Sequence, residues 1–290
     1  RMDCMLRMIG AYTAAMAKAT GGMMVGDAQC IQLYGFFGKD LEDKDFLYRE
    51  IFGAGSGARP FADGTDTVDL VPHSKNLPAE FIEQRFPVLV RRVGMFQDSG
   101  GPGAFRGGMG YLKDVEILVD GHFLTISYRT TFSCFGVNGG MAGRSGGALV
   151  NPGSPDEQHI LYKRESVPVK AGDVVRILTP GGGGWGDPLA RVAEMVRLDV
   201  QQGNVSIESA RDDYGVVLER VDDMSRGYEV DEAKTTALRE EKRASRPPLK
   251  MINRGPHVEQ LIKEGKIQVS DFDYPANFDE AGYLEAVAAS

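Results

Sequence analysis

The 290-residue chain carries 33 basic and 41 acidic side chains, which give a formal charge of -8 and an isoelectric point near 5.2. This negative balance argues against a nucleic-acid partner, because no basic field would release counterions from a phosphate backbone. Hydrophobic residues make up 42% of the sequence, yet no apolar run approaches the ~20 residues that span a bilayer, so we expect no membrane partner.

Cysteine and glycine usage narrow the class of protein further. Cys4, Cys30 and Cys134 are isolated and odd in number, which favours reduced thiols in a cytoplasmic protein over a disulfide framework or a zinc site. The 37 glycines are about 13% of the chain against a typical ~7%, and they cluster. Such clusters predict tight turns or close backbone contacts.

The first predicted element is a helix over residues 2–19, which ends at Gly21 or Gly22. The chain has no initiator Met and no signal region, so we expect the start of a helix in something larger, or a processed chain. We divide the sequence into this helix (1–27), a β-rich domain with closing helices (28–220) and a C-terminal extension for assembly (221–290).

From about residue 28 to residue 180, short apolar runs alternate with Gly, Pro and Asp, a pattern that predicts a mainly antiparallel β region. Asp120-Gly121 stands between the runs "VEILV" and "HFLTISY", and it predicts a β-hairpin. Examples of these runs are "CIQLYGFF", "FPVLVRRVGMF", "YLKDVEILV", "HFLTISYRTTF", "HILYKRESVPV" and "DVVRIL".

After Pro188 the apolar period becomes helical, with Asp187 placed to cap a helix that Gly203 ends. Ser206 is placed to cap a short helix that ends at Gly215, and a charged helix follows over 231–246. Weak periodicity beyond residue 246 predicts a tail that wraps another surface. The fold class is therefore α+β, with a mainly antiparallel core, an N-terminal helix and a C-terminal helical region.

The stretch "TPGGGGWGDP" contains Gly181, Gly183 and Gly186 in the G-x-G-x-x-G spacing of dinucleotide sites. The spacing alone is weak, since Asp187 puts a carboxylate where a pyrophosphate would need open N–H groups. Besides a dinucleotide site, two interpretations are open. We favour a structural one, in which glycines let backbone segments pass close to each other. In the other, bare N–H groups line part of a cavity.

The whole closing segment, "KAGDVVRILTPGGGGWGDPLARVAEMVRLDV", resembles that of the hydantoinase B/oxoprolinase family, in its C-terminal half. The resemblance extends in family order through "FGAGSGARPFADG" (52–64), "NLPAEFIEQRFPVLVRRVGMFQDSGGPGAFRGGMGYLKDVEIL" (76–118) and "FGVNGGMAGRSG" (135–146). Several motifs that agree in order over about residues 30 to 218 are more specific than any one of them.

The resemblance implies partners and an ATP-dependent reaction. Family members work with hydantoinase A-like ATP-binding subunits, so ATP and Mg²⁺ or Mn²⁺ are expected on partner subunits and no cofactor is expected on this chain alone. ATP would phosphorylate an oxygen of a poorly reactive carbonyl compound. In the carboxylases of this type, bicarbonate becomes carboxyphosphate and the ketone becomes an enol phosphate.

Family members usually carry a long segment before "GARP", so the missing N-terminal hydantoinase B portion is expected on another polypeptide. This split favours a small subunit of an acetophenone or acetone carboxylase, a C–C bond-forming ligase acting on a small ketone and bicarbonate. One alternative is a subunit of a 5-oxoprolinase or hydantoinase that opens a cyclic amide. Another alternative is a non-catalytic scaffold subunit.

No catalytic residue can be assigned from spacing, but six side chains are candidates for a cavity. Among them, Arg59 lies in a glycine-flanked turn, where it could hold a carboxylate or phosphate or form a surface ion pair. Asp98 and Ser99 are expected to cap or brace a turn, and Arg106 is expected to pair with Asp98. The six are His73, Arg59, Asp98, Arg106, Arg129 and Arg144.

His73 is the best cavity candidate among four scattered histidines, although a lone loop histidine is more often solvated. The histidines show no metal-ligand spacing, so we expect no metal site within this chain. Arg129 and Arg144 flank "TTFSCFGVNGGMAG", and either could face an anionic intermediate. Trp185 is expected to be a packing residue.

Overall fold

A computed structural model describes residues 2–28, 32–68, 75–222, 227–268 and 274–289, with side chains from residue 8 onward. It confirms the predicted α+β class, with helices at both ends of a mainly antiparallel core. The helices are α1 (Met2–Ala19), α2 (Ala79–Arg85), α3 (Ala193–Gln201), α4 (Ile207–Asp212), α5 (Glu232–Ser245), α6 (Pro256–Lys263) and α7 (Glu280–Ala289). None of the described helices is long and apolar enough to cross a membrane.

Two antiparallel sheets hold most of the strands. A four-stranded sheet has the order β2-β1-β5-β9, and a five-stranded sheet has the order β3-β4-β10-β7-β8. The strands are β1 (Gln32–Lys39), β2 (Asp45–Phe52), β3 (Val88–Phe96), β4 (Gly110–Ile117), β5 (Gly121–Ile126), β6 (Gly136–Val137), β7 (Gly147–Val150), β8 (Gln158–Ile160), β9 (Lys163–Val169), β10 (Val174–Leu178), β11 (Leu218–Arg220), β12 (Tyr228–Val230) and β13 (Ile252–Asn253).

The two large sheets share one hydrophobic core, and we call this unit the sandwich. Buried aromatic rings of the four-stranded sheet meet aliphatic and aromatic side chains of the five-stranded sheet, and Phe52 stacks on Tyr111 with ring centroids 4.6 Å apart. Ile82 of α2 is also buried in this core. Apolar residues that alternate along the strands supply both facing surfaces. The core strands β2 and β7 were not among the runs from which strands were predicted.

The predicted hairpin at Asp120-Gly121 is wrong. β4 pairs with β3 and β10, whereas β5 pairs with β1 and β9 in the other sheet. The chain therefore crosses between sheets over residues 118–120. The Asp120 carboxylate accepts a hydrogen bond from the Ala171 N–H at 2.9 Å, so the turn residues brace a neighbouring loop instead of closing a hairpin.

The helix predicted after Pro188 is divided in two. A 3-10 turn over Pro188–Ala190 is followed by α3, because Arg191 and Val192 have extended backbone angles. Arg191 is 1% exposed and points its guanidinium into the protein, which a continuous surface helix would not allow. Asp187 caps the turn as predicted, accepting from the Leu189 N–H at 3.0 Å.

The later elements follow the sequence more closely. Ser206 accepts from the Ser209 N–H and begins α4, and Gly215, with φ 63°, follows its end. Asp231 caps α5 through the Lys234 N–H. The described part of the tail beyond α5, residues 246–268 and 274–289, contains a strand and two helices, and its Met251, Ile252 and Phe278 pack with Trp185. Its assembly role and the division at residues 27 and 220 remain predictions.

Candidate functional site

A bundle of glycine-rich segments lies beside the sandwich and contains most of the motifs singled out from the sequence. We call it the glycine bundle and define it as residues 26–27, 55–58, 99–108, 135–144 and 180–186. Its segments approach so closely that side chains are excluded. A Cβ atom built on Gly182 would stand 1.9 Å from the Ser56 carbonyl oxygen. The glycines therefore permit backbone-to-backbone packing, as the structural interpretation predicted.

The central segment 180–186 donates its backbone N–H groups to several neighbouring segments in turn. The N–H groups of Gly181, Gly182, Gly183 and Gly184 are bonded to the carbonyl oxygens of Arg144, Gly108, Asp27 and Met141 at 2.9–3.1 Å. Since these donors are all occupied, the hypothesis that bare N–H groups line a cavity is wrong. The same bonds leave no donor for a pyrophosphate, so the G-x-G-x-x-G match is not a dinucleotide site.

Trp185 and Asp187 fix the end of the central segment. Trp185 is buried, and its indole N–H donates to the Gly22 carbonyl at 2.8 Å. It contacts Phe105 and Phe278, so it is the packing residue that was predicted. The Asp187 carboxylate also accepts two hydrogen bonds from the Arg246 guanidinium, which ties the end of α5 to the bundle.

The predicted pairing of Arg106 with Asp98 is wrong. Arg106 instead donates through Nε to Asp199 and through Nη1 to Asp66, both at 3.3 Å, and through Nη1 to the Gly107 carbonyl at 2.7 Å. Burial alone would lower the pKa of Arg106, but the Asp199 and Asp66 carboxylates outweigh it and raise that pKa. Arg106 is thus a buried structural cation.

Asp98 lies in a strained turn with φ 59°, and it holds α4 in place. Its Oδ1 accepts from the Ser206 N–H at 2.7 Å, and its Oδ2 is 3.8 Å from Nη2 of Arg144. The Arg144 side chain is 58% exposed, so this ion pair is weak and the guanidinium stays open to solvent. Asp98 braces a turn as expected, with α4 as the element it holds.

Arg191, which the sequence did not single out, is the centre of the buried ion network. Its Nη1 and Nη2 each donate to one oxygen of Asp63 at 2.7 Å, and Nη2 also donates to Asp199 at 2.8 Å. Burial alone would raise the pKa of the Asp63 carboxyl, but Arg191 and Arg106 hold it below its usual value. The network joins the helical closing segment to the bundle.

Arg129 forms an ion pair with Asp27 at the edge of the bundle. A Cβ atom built on Gly10 of α1 would lie 3.2 Å from Arg129 Nη2 and 3.3 Å from Asp27 Oδ1, so the helix crosses directly over the pair. Asp27 in turn accepts the Gly183 N–H through its carbonyl oxygen. Because Arg129 is paired with a carboxylate and covered by α1, it does not face an open anion site.

Arg59 lies in a turn in which its N–H donates to the Ala62 carbonyl at 2.9 Å. Its Nη2 donates to the Asp63 carbonyl oxygen at 2.6 Å, and its guanidinium lies over the Phe61 ring, 5.9 Å from the centroid. Its Nε atom is buried and has no hydrogen-bond partner. The structure thus brings Arg59 and Arg106 together at the segment 59–66, where both donate hydrogen bonds to Asp63.

His73 lies outside the described residues, so its placement stays a prediction. His122 contacts Ser166 at 2.9 Å and stacks on Phe37, and His159 contacts Glu157 at 2.8 Å. Within the part of the chain that the structure describes, no three His, Cys, Asp or Glu side chains group as they would around a metal ion.

A second buried polar cluster links the two sheets of the sandwich, and the sequence analysis missed it. Lys113 of β4 donates to Glu50 of β2 at 2.7 Å, with both side chains 3% exposed. Tyr34 and Tyr48 also donate to that carboxylate. Burial alone would raise the pKa of Glu50, but Lys113 and the tyrosines lower it, so the cluster holds a compensated ion pair.

Comparison with known proteins gives a consistent assignment. The hydantoinase B/oxoprolinase family profile matches residues 1–188. The B-type component of a putative D-/L-hydantoinase from Pseudomonas sp. (strain NS671) is 30% identical over 227 residues, which cover 78% of this chain and 37% of that protein.

Two solved structures share the fold. The ATP-dependent caprolactamase from Pseudomonas jessenii matches 75% of this chain and 38% of its own, with 28% identity and a TM-score of 0.58. Nucleotide-free acetone carboxylase matches 84% of this chain and 36% of its own, with 20% identity and a TM-score of 0.58. The chain thus spans well under half the length of these proteins. The profile match over most of the chain, with the hydantoinase similarity, shows that the chain belongs to the hydantoinase B/oxoprolinase family.

Proposed function

We propose that the chain is the hydantoinase B-type part of an ATP-dependent enzyme that opens a cyclic amide. The observation that carries this proposal is the 28% identity with an ATP-dependent caprolactamase over 75% of the chain. The hydantoinase component is 30% identical over a similar length. Caprolactam and hydantoin are both ring amides, so the shared substrate feature is an amide carbonyl within a ring.

The chemistry explains why ATP is needed. Resonance between nitrogen and carbonyl makes an amide carbon a poor electrophile. Transfer of a phosphoryl group from ATP to the amide oxygen would release ADP and allow water to add to the carbon. The C–N bond then breaks, and a second water releases phosphate, so one amide, one ATP and two waters give the ring-opened acid, ADP and phosphate.

In this proposal the chain supplies a rigid wall and its partners supply the nucleotide site. Hydantoinase A-like subunits would bind ATP with Mg²⁺ or Mn²⁺, and the N-terminal hydantoinase B portion would complete the cavity. Arg106 and Arg129 are neutralised by carboxylates of this chain. Arg59 and the exposed Arg144 therefore remain as the candidates to face an anion among the five described residues proposed from the sequence.

Ketone carboxylation of the acetophenone or acetone type is the second candidate. Its support is the fold shared with acetone carboxylase over 84% of this chain. Bicarbonate would then be a co-substrate and a β-keto acid the product. The third candidate, a non-catalytic scaffold, is consistent with a bundle held together by backbone bonds.

Co-purification followed by turnover assays tests these candidates. The chain is co-expressed with hydantoinase A-like and N-terminal hydantoinase B polypeptides, and ADP release is measured with each substrate. Stimulation by 5-oxoproline, hydantoin or caprolactam supports the proposal. Stimulation by acetone or acetophenone only with bicarbonate contradicts it and supports carboxylation.

Two further outcomes concern the role of this chain. Complexes carrying Arg59→Ala or His73→Ala with full turnover would move the assignment to a scaffold. A fully active monomer of this chain alone would contradict all three candidates.

A further inference from the structure

Arg59, Arg191 and Arg243 each have a buried Nε atom without a hydrogen-bond partner. Arg191 pairs with Asp63 and Asp199, and Arg243 pairs with Glu280, whereas Arg59 has no carboxylate partner among the described residues. Elsewhere in the chain, Arg176 donates hydrogen bonds from Nε and Nη2 to the two carboxylate oxygens of Asp114, at 2.7 Å each. Arg197 grips Glu194 with the same pair of nitrogens at 2.8 Å. On Arg59 the Nε half of this fork is buried without an acceptor, and no carboxylate in the described part of the chain pairs with the side chain.

The position of Arg59 is fixed from two sides. On one side, the Ala58 N–H donates to the Gly183 carbonyl at 2.9 Å, which ties the start of the turn to the glycine bundle. On the other side, Nη2 of Arg59 donates to the Asp63 carbonyl oxygen, while Arg191 grips the Asp63 carboxylate. Arg191 therefore binds the Asp63 carboxylate, and the backbone carbonyl oxygen of Asp63 orients the Arg59 guanidinium.

A buried N–H without an acceptor costs about 1–3 kcal/mol. On Arg191 and Arg243 the carboxylate partners offset this cost, whereas Arg59 has no such partner among the described residues. A guanidinium fork matches the two oxygens of a carboxylate or a phosphate in shape and charge. We infer that Arg59, positioned by Asp63 and Arg191, binds an oxyanion through its Nε side. This inference rests on the proposed function, in which carboxylate and phosphate groups are both produced.

Phe61 is an exposed aromatic neighbour of Arg59. Its side chain is 74% exposed although it is a large aromatic group, and its ring lies over the Arg59 guanidinium. Nε itself has no contact with solvent, so an incoming oxygen requires a rearrangement of the turn. Because the ring is exposed and lies beside the guanidinium, we expect Phe61 to change its environment when an anion binds.

Direct binding to the 290-residue chain tests the inference without any turnover. Inorganic phosphate, bicarbonate and glutamate are titrated separately by calorimetry, with ionic strength held constant by chloride because salt screens charge. We expect at least one of them to bind, and Arg59→Gln to weaken that binding at least about tenfold. Arg59→Lys is expected to weaken it as well, because a lysine keeps the charge but lacks the fork. Which anion binds identifies the source, a phosphoryl group, bicarbonate or the ring-opened acid.

Arg164→Gln is the matched control, because Arg164 is an exposed arginine on β9. Equal binding by the wild-type chain, Arg59→Gln and Arg164→Gln would overturn the inference, as would no binding of any anion to the folded chain. If Arg59→Gln does not fold, Phe61→Trp replaces it, and the fluorescence of the new indole is expected to change on titration. No change at saturating anion would overturn the inference. Either failure leaves the turnover test of the proposed function intact.

Discussion

The sandwich and the glycine bundle achieve density in opposite ways. In the sandwich, side chains from two sheets interlock, and the backbones of facing sheets stay apart. In the bundle, backbones replace side chains, and a Cβ atom on several glycines would stand about 2 Å from a carbonyl oxygen. A side-chain core can repack by small rotations, whereas a backbone-packed region has no side chain that can yield.

The largest effect is expected where a methyl group is added to the bundle. Gly182→Ala places a Cβ 1.9 Å from the Ser56 oxygen and 2.3 Å from its carbonyl carbon, so we expect a loss above about 4 kcal/mol or no folding. Chemical denaturation measures the loss. Gly94→Ala is the control, because Gly94 has no atom within 4 Å of its Cβ position, and we expect it to be neutral or stabilising by up to about 1 kcal/mol. Equal effects of the two substitutions would contradict backbone packing.

The next effect lies in the sandwich and tests its buried ion pair. Lys113→Met leaves the Glu50 carboxylate uncompensated, and we expect a loss of about 3–5 kcal/mol. In the wild-type chain the pKa of Glu50 is lowered, so its contribution is present above the unfolded-state pKa and is lost as pH falls through the folded-state pKa. Denaturation from pH 3 to pH 8 checks both the loss and its sign. A double variant, Glu50→Leu with Lys113→Met, should recover stability, and failure to recover would show that shape, not charge, was lost.

A smaller effect is expected where α5 meets the bundle. Asp187→Ala removes the cap on Leu189 and the partner of Arg246, and we expect a loss of about 2 kcal/mol. Arg246→Gln removes only the ion pair and should cost less. Thermal denaturation compares the two variants. An equal loss in both would show that the cap contributes nothing.

The smallest effects separate ordinary packing from the bundle. Ile177→Val deletes one methylene from the sandwich core, where Ile177 is fully buried, and is expected to cost about 0.5–1.5 kcal/mol. Ser206→Ala removes the cap of α4 and is expected to cost about 1 kcal/mol. Urea denaturation measures both. A loss from Ile177→Val as large as that from Gly182→Ala would remove the contrast between the two regions.

Local patterns predicted the local elements well. Short apolar runs predicted β1, β3, β4, β5 and β10, and Asp187 and Ser206 cap helical turns as their sequence positions indicated. β2 and β7 were not among the quoted runs, and the run "HILYKRESVPV" divides into β8 and β9. Pairing between distant segments was beyond these patterns. Asp120-Gly121 signals a turn but says nothing about which sheet receives each strand, so the hairpin prediction was wrong.

The candidate site shows the same division. "GSGARP" pointed to Arg59, whose unused donor the structure then revealed. Arg191 and Asp63 are 128 residues apart and bear no common motif, so their pairing could not be read from spacing. The Glu50–Lys113 pair was also missed, because its members are distant in sequence. In addition, charged residues in a strand are ordinarily expected to face solvent.

The long sequence separation between the segments of the glycine bundle affects how fast the protein folds. Its five segments come from residues as distant as 26 and 186. The last segment, 180–186, lies at the centre and forms backbone hydrogen bonds with the other four. Each of these contacts closes a long loop, and long-range contacts of this kind slow folding. On the ribosome, the bundle cannot close until residue 186 has emerged. Until then, the N–H and C=O groups of the earlier segments that bond to residues 180–186 lack these partners. A chaperone would protect the chain most during this period.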